Sequence, residues 1–127
     1  MAKTILVVDD EPSIVKIMKS RLEANGYAVM TALAGEEALA QVKEARPDLI
    51  LLDIIMPEMD GYQVCRKLKQ DPSTQRIPVI MFTADERKGV DVQAHEAGAA
   101  NVVYKPLVAE VMEAVKEIFE GKMPAEY

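Results

Sequence analysis

The sequence predicts a doubly wound α/β domain, in which helices cover both faces of a parallel sheet. Five short apolar runs alternate along the chain with five stretches of helical periodicity, a pattern typical of right-handed βαβ crossovers. The runs are apolar at nearly every position, as expected for strands that are buried on both faces. A length of 127 residues fits one such domain and leaves no room for a second.

The first two strand–helix units are separated by Asn25-Gly26. A strand is predicted at residues 5–8, followed by a helix from about residue 12 to residue 25. The helix is predicted because apolar side chains recur at helical spacing, at Ile14, Val15, Ile17, Met18 and Leu22. Asn25-Gly26 is a typical helix end. Residues 27–30 form the least uniformly apolar run, which indicates an edge strand, and residues 36–45 form the second predicted helix.

The other three units follow the same alternation. Apolar runs predict strands at residues 49–52, 78–82 and 102–104. Helices are predicted at residues 62–69, 87–97 and 108–120, the first of them after a loop that contains proline and glycine. We therefore expect the domain to cover residues 1–121, with a frayed tail at residues 122–127.

The composition excludes several classes of protein. The single cysteine, Cys65, and the single histidine, His95, exclude a disulfide framework and a Cys- or His-rich metal centre. We expect Cys65 to be packed and inert and His95 to lie on the surface. A net charge of −6 without a basic run disfavours direct nucleic-acid binding. No apolar run is long enough for a membrane span or a signal peptide, so the expected location is the cytoplasm.

Polar residues that can carry chemistry follow the predicted strands directly. Asp9 and Asp10 follow the first strand, Asp53 the third, Thr83 the fourth and Lys105 the fifth. These positions converge at the carboxyl edge of a doubly wound sheet, where such folds bind ligands. Three neighbouring carboxylates repel one another unless a cation offsets their charge. Oxygen ligands of this kind suit Mg²⁺, and Lys105 adds a point charge suited to an anion.

This set of side chains suits phosphoryl transfer. A metal ion and an ammonium group offset the charge on the phosphoryl oxygens while a carboxylate attacks in line. Asp53 is the predicted nucleophile because it ends a central strand, and Asp9 and Asp10 are better placed to hold the metal. Taken alone, Asp9-Asp10 is as typical of a helix cap as of a functional site, and Thr83 is more typical of a cap for the fourth helix.

Five motifs occur at successive strand ends and loops: VVDDE at residues 7–11, DIIMPEMDG at 53–61, MFTA at 81–84, AGA at 97–99 and KP at 105–106. In this order they resemble the receiver domain of two-component response regulators, over essentially the whole chain. The resemblance implies a flavodoxin-like (βα)5 fold with strand order 2-1-3-4-5. It also implies that Asp53 accepts a phosphoryl group from a sensor histidine kinase or a histidine phosphotransfer protein.

The resemblance assigns roles to the other residues at the predicted edge. Thr83 would bond the phosphoryl oxygen and Lys105 would pair with it, with a cis peptide bond between Lys105 and Pro106. Mg²⁺ would be bound by the following groups: Asp10, Asp53 and the backbone carbonyl of Ile55, with Asp9 acting mainly through water. The implied function is a signalling switch rather than an enzyme with a separate substrate.

The resemblance also implies an output surface. A downstream protein would bind the face made by the fourth helix, the fifth strand and the fifth helix. In this sequence that face includes parts of residues 87–97 and 108–119, with Val102 and Tyr104. Alternatively, the chain is a receiver module excised from a larger response regulator or hybrid histidine kinase.

Two positions depart from or vary within the family pattern. An aromatic residue usually stands three positions before the lysine, where this chain has Val102, whereas Tyr104 directly precedes Lys105. We hypothesise that the usual coupling between the threonine and the aromatic ring is absent or altered. Ile55 lies two residues after Asp53 and cannot hydrogen-bond an attacking water, although Asp85 could. The expected result is slow to moderate autodephosphorylation.

Two other classes of protein fit the sequence less well. A flavodoxin-like cofactor binder needs a phosphate loop rich in Ser, Thr and Gly after the first strand. This chain has the acidic residues 9–11 there. Phosphatases similar to haloacid dehalogenases carry a second Asp two residues after the nucleophile, where this chain has Ile55.

Overall fold

The computed structural model describes residues 2–121. Its strands are β1 Thr4–Val8, β2 Ala28–Ala32, β3 Leu49–Leu52, β4 Val79–Thr83 and β5 Asn101–Tyr104. Its helices are α1 Pro12–Ala24, α2 Gly35–Glu44, α3 Gly61–Gln70, α4 Val90–Ala97 and α5 Val108–Phe119. All strands are parallel, in the order β2-β1-β3-β4-β5. The predicted fold and strand order are confirmed, and the predicted tail at residues 122–127 lies outside the described residues.

Helices cover both faces of the sheet. One buried cluster joins the sheet to α1 and α5, and the other joins it to α2, α3 and α4. Every residue of β3 and β4 is buried, because each of these strands has helices above and below it. β2 is an edge strand, as its weaker apolar pattern indicates.

Two element boundaries differ from the prediction by more than one residue. β2 extends to Ala32 because its register with β1 continues through the Val8–Ala32 pair. The fourth helix was predicted from residue 87, but α4 begins at Val90. Gly89 stands before it with φ +94°, a conformation that glycine adopts at little cost. The residues between Thr83 and Gly89 therefore form a connection rather than a helical turn.

The remaining helices begin within one residue of their predicted starts, and Cys65 and His95 are buried and exposed, respectively, as predicted. Asp60 caps α3, and its side chain and that of Gln63 bond reciprocally to backbone N–H groups. The Cys65 thiol is buried and donates to the Ala97 carbonyl at 3.2 Å, and burial raises its pKa to about 11. His95 is exposed. Within residues 2–121, none of the helices has the length and apolar character needed to cross a membrane.

Candidate functional site

The carboxyl edge of the sheet brings three carboxylates and one ammonium group together. Asp9, Asp10 and Asp53 each offer an oxygen, and these oxygens lie within 4.8 Å of one another. The Lys105 Nζ lies 2.7 Å from Asp9 Oδ2 and 3.3 Å from Asp53 Oδ2. Asp9 and Asp53 are only 2% and 4% exposed, so their charges act on one another with little screening by water.

Main-chain bonds fix the two buried aspartates where their strands end. The Asp9 N–H donates to the Ala32 carbonyl at 3.1 Å, and the Asp53 N–H donates to the Val8 carbonyl at 2.9 Å. Asp9 Oδ1 accepts from the Glu11 N–H at 3.0 Å. Glu11 precedes α1 without a side-chain cap bond, so the position of Asp9 is set by the strand ends rather than by helix capping.

The electrostatics of the cluster favour an additional cation. Burial, followed by the charge of Asp9, raises the pKa of Asp53, and Lys105 offsets only part of this effect. Burial opposes the charge of Lys105, but hydrogen bonds and charges from Asp9 and Asp53 outweigh it and raise the Lys105 pKa. One ammonium group thus serves two buried carboxylates, with Asp10 close by. This excess of negative oxygen ligands fits a hard divalent ion.

Lys105→Met is expected to lower the free energy of unfolding at pH 7 in metal-free buffer by about 3 kcal/mol, because it leaves buried carboxylates without a counter-charge. The raised pKa of Lys105 means that its contribution is fully present at neutral pH and is lost only at alkaline pH. Urea denaturation at pH 7 measures the effect, with the exposed Lys16→Met as the control for net charge. A loss no larger than that of the control would contradict this account.

The loop after β3 folds back tightly on Asp53. The Gly61 N–H donates to the Ile54 carbonyl at 2.8 Å, and the Ile54 N–H donates to Asp53 Oδ1 at 2.8 Å. A Cβ on Gly61 would overlap the Asp53 carbonyl oxygen and lie 2.8 Å from the Ile54 Cα. Ile55 lies in this loop with its side chain 54% exposed. The loop therefore holds both the Asp53 main chain and the Ile55 segment in place.

Thr83 ends β4 at the same edge and is fully buried. Its carbonyl accepts from the Lys105 N–H at 2.8 Å, and its hydroxyl oxygen accepts from the Asp85 N–H at 3.1 Å. Asp85 does not present a free carboxylate, since both of its oxygens accept from the Arg87 guanidinium at 2.7 Å. The sequence suggested Asp85 as a hydrogen-bond acceptor for an attacking water. In the structure, the Asp85 carboxylate is instead bonded to Arg87.

Tyr104 connects the end of β5 to α4. It pairs in register with Thr83, and its hydroxyl donates to Asp91 Oδ1 at 2.9 Å. Val102 and Tyr104 both pack, partly buried, against the cluster on the α2–α3–α4 face. Sequence reasoning did not find the Tyr104–Asp91 bond, because its partners are thirteen positions apart in the chain and no periodic pattern joins a strand end to a helix start.

Solved structures define the class to which this fold and site belong. The signal receiver domain of a signal transduction histidine kinase from Syntrophus aciditrophicus superposes with a TM-score of 0.88 at 38% identity, covering 94% of this chain and 92% of that one. A CheY-like response regulator receiver domain protein from Methanospirillum hungatei superposes with a TM-score of 0.89 at 30% identity, covering 95% and 96%. The class is the CheY-like receiver fold.

The chain belongs to the family described as the response regulator receiver domain, which it matches over residues 5–116. It is 47% identical to the response regulator PleD of Caulobacter vibrioides, over 84% of this chain and 24% of that protein. It is 44% identical to the alkaline phosphatase synthesis regulator PhoP of Bacillus subtilis, over 84% of this chain and 43% of that protein. The chain thus spans less than half the length of these two relatives.

Proposed function

We propose that this receiver domain, residues 1–121, is a Mg²⁺-dependent phosphoacceptor switch in which Asp53 takes a phosphoryl group from a histidine kinase or histidine phosphotransfer protein. The observation that carries the proposal is the Asp53 carboxylate itself. It is buried among two further carboxylates and bonded to Lys105 at the carboxyl edge of the sheet. Membership of the receiver family supports the same assignment.

The resting geometry suits an in-line attack by Asp53. One of its oxygens accepts from the Ile54 N–H and the other from Lys105. A carboxylate oxygen would form the new bond to phosphorus as the P–N bond of the donor phosphohistidine breaks, and the bonding pair would return to the imidazole nitrogen. Lys105 would offset charge on the transferred group, and the Thr83 hydroxyl would bond one of its oxygens.

Mg²⁺ is the metal that the donor set fits. Asp9, Asp10 and Asp53 would hold it together with the backbone carbonyl of Ile55, and Asp9 would act mainly through water. When bound, the ion supplies positive charge that stabilises the phosphoryl oxygens during transfer. Only oxygen atoms are offered by this set, in keeping with a hard cation rather than a metal that prefers sulfur or nitrogen ligands.

Output would pass to a downstream protein through the face formed by α4, β5 and α5. Val92 on α4 is 59% exposed, and Tyr104 links this helix to β5. The proposed setting is cytoplasmic, without direct nucleic-acid contact by this domain. The chain spans only part of the length of its relatives. The proposal therefore applies equally to a receiver module within a larger response regulator or hybrid histidine kinase.

Intact-mass measurement after incubation with acetyl phosphate tests the proposal, with Mg²⁺ in one sample and EDTA in the other. The expected result is one adduct of about 80 Da per chain, the mass of one transferred phosphoryl group, in the Mg²⁺ sample alone. Absence of the adduct, together with no binding of beryllofluoride in the presence of Mg²⁺, would overturn the proposal. Multiple turnover of p-nitrophenyl phosphate would instead identify a hydrolase.

Ile55→Asn is expected to speed loss of the phosphoryl group several-fold, below the roughly hundredfold effect of a positioned general base. The side chain of Ile55 is largely exposed and offers no hydrogen bond to an attacking water, whereas an amide does. Decay of the phosphorylated mass gives the rate, and Ile17→Asn, at a comparably exposed position, is the control. An unchanged rate in Ile55→Asn would contradict slow hydrolysis caused by this side chain.

A further inference from the structure

The side chain of Glu11 is directed to the Lys105 ammonium group rather than to the start of α1. Its Oε1 atom lies 3.7 Å from Lys105 Nζ. Glu11 is the N-cap residue of α1, but its side chain makes no capping bond, and glutamate is not among the residues that are preferred as helix caps. The Glu11 carbonyl accepts from the Ile14 and Val15 N–H groups. The helix therefore uses the main chain of Glu11 and not its carboxylate.

Glu11 faces solvent, unlike the two other carboxylates that form ion pairs with Lys105. The side chains of Asp9 and Asp53 are 3% and 5% exposed, whereas that of Glu11 is 60% exposed. The Lys105 side chain between them is only 10% exposed. An ion pair with such an exposed partner contributes little to stability. Glu11 therefore places a negative charge on the solvent side of Lys105 with little benefit to the fold.

This charge acts on any phosphoryl donor that approaches Lys105, the proposed partner of the transferred group. It adds to the charges of the three carboxylates already gathered there, Asp9, Asp10 and Asp53. Coulomb repulsion is proportional to the charge of the donor, so the Glu11 carboxylate repels a dianion more strongly than a monoanion. Because Glu11 is exposed, salt screens this repulsion. The position of Glu11 thus favours donors with a smaller negative charge.

We propose that Glu11 is a specificity-determining residue that makes the site prefer N–P donors to acyl phosphates. Phosphoramidate and protonated phosphohistidine carry a proton on nitrogen and are monoanions, whereas acetyl phosphate is a dianion near neutral pH. With an N–P donor, an Asp53 oxygen bonds to phosphorus as the P–N bond breaks, and the bonding pair leaves with the nitrogen as a neutral amine. With acetyl phosphate the P–O bond breaks and acetate leaves. This inference rests on the proposed function, because it concerns the donor in that reaction.

The substitution Glu11→Gln removes the charge and keeps the main-chain bonds of Glu11 to Asp9 and to α1. Phosphorylation rates in Mg²⁺ are measured by intact mass, with acetyl phosphate as one donor and phosphoramidate as the other. We expect the rate to rise about fivefold with acetyl phosphate and about twofold with phosphoramidate. In about 0.5 M KCl, where the Debye length is roughly 4 Å, the difference between the two donors is expected to shrink.

Glu23→Gln removes an exposed carboxylate elsewhere on α1, and as the control for net charge it is expected to leave both rates unchanged. Glu11→Lys reverses the charge and is expected to shift the donor preference further toward acetyl phosphate. Equal changes with the two donors, unchanged rates, or a fall in both rates would overturn the inference while leaving the phosphoacceptor function intact. A fall in both rates would show that Glu11 only positions Lys105.

Absence of phosphoryl uptake by the wild type from both donors would overturn the inference. If the wild type also failed to bind beryllofluoride, the proposed function would be overturned with it.

Discussion

Asp53→Asn is expected to abolish phosphoryl uptake and, in metal-free buffer at pH 7, to raise the free energy of unfolding. Uptake is lost because the amide has no anionic oxygen to attack phosphorus. Stability rises because burial and the charge of Asp9 raise the pKa of Asp53, which shows that its ionised form is disfavoured in the folded chain. The gain is on the order of 1 kcal/mol, the usual scale for one unfavourable buried group.

The pH dependence of this gain follows from the direction of the pKa shift. The folded chain holds the Asp53 proton more tightly than the unfolded chain, whose pKa is near the ordinary value of 3.8. The wild type is therefore expected to lose stability as the pH rises from 3.8 through the raised pKa that Asp53 has in the folded chain. The difference between Asp53→Asn and the wild type should be small below pH 3.8 and complete at neutral pH.

Urea denaturation between pH 3.5 and pH 7.5, with intact mass after acetyl phosphate treatment, checks both parts of this prediction. Glu23→Gln removes a carboxylate from an exposed position on α1 and controls for the change in net charge. A phosphoryl adduct on Asp53→Asn would show that another residue accepts the group. Lower stability than the wild type at pH 7 would show that the bond to Lys105 outweighs the cost of burying the charge.

Gly61→Ala is expected to destabilise the domain by about 3 kcal/mol, the range of severe overpacking. The new Cβ would overlap the Asp53 carbonyl oxygen and lie 2.8 Å from the Ile54 Cα. These are main-chain atoms in the loop that follows β3, and they cannot rotate away as a side chain can. The loop must shift instead, so phosphoryl uptake by Asp53 is also expected to fall.

Gly35→Ala is the matched control, because Gly35 is also the first residue of a helix. Its added Cβ would meet the Val64 Cγ2 at 2.7 Å, and its nearest main-chain atom would be the Met59 carbonyl oxygen at 3.3 Å. A side-chain methyl group can move and the main-chain contact is longer than those at Gly61, so we expect a cost of about 1 kcal/mol. Alanine is favoured over glycine within helices, so helix propensity alone would stabilise both variants. A large loss of stability in Gly61→Ala would therefore come from the contact between the new Cβ and the main chain. Equal melting temperatures for the two variants would contradict this interpretation.

The type and order of the strands and helices could be predicted because each strand–helix unit has its own local sequence pattern. Strands buried on both faces are apolar throughout, and amphipathic helices separate them, so element type and order follow from local patterns. The start of α4 was missed because Arg87 and its neighbours have acceptable helix propensity, while the chain instead bonds Arg87 to Asp85. The end of β2 was missed because register with β1 extends a strand beyond its apolar run.

The site could be predicted only as far as topology dictates it. Asp9, Asp10, Asp53 and Lys105 converge because parallel strands end at one edge, and the cis Lys105–Pro106 bond agrees with the family resemblance. Bonds formed by side chains in the connecting segments leave no pattern in the sequence. The altered role of Tyr104 stays a prediction, which superposed structures of the phosphorylated and unmodified chain would test by the position of its ring.

The Lys105 ammonium group is bonded to both Asp9 and Asp53, and it therefore serves as a counter-ion that belongs to the acidic cluster itself. A divalent ion that enters the cluster competes with this resident charge for Asp9 and Asp53, whereas an incoming phosphoryl anion offers Lys105 a new partner. Metal and phosphoryl donor are therefore expected to strengthen each other's binding, with equal reciprocal factors. The domain would then respond to the two ligands jointly, and to either one alone only weakly.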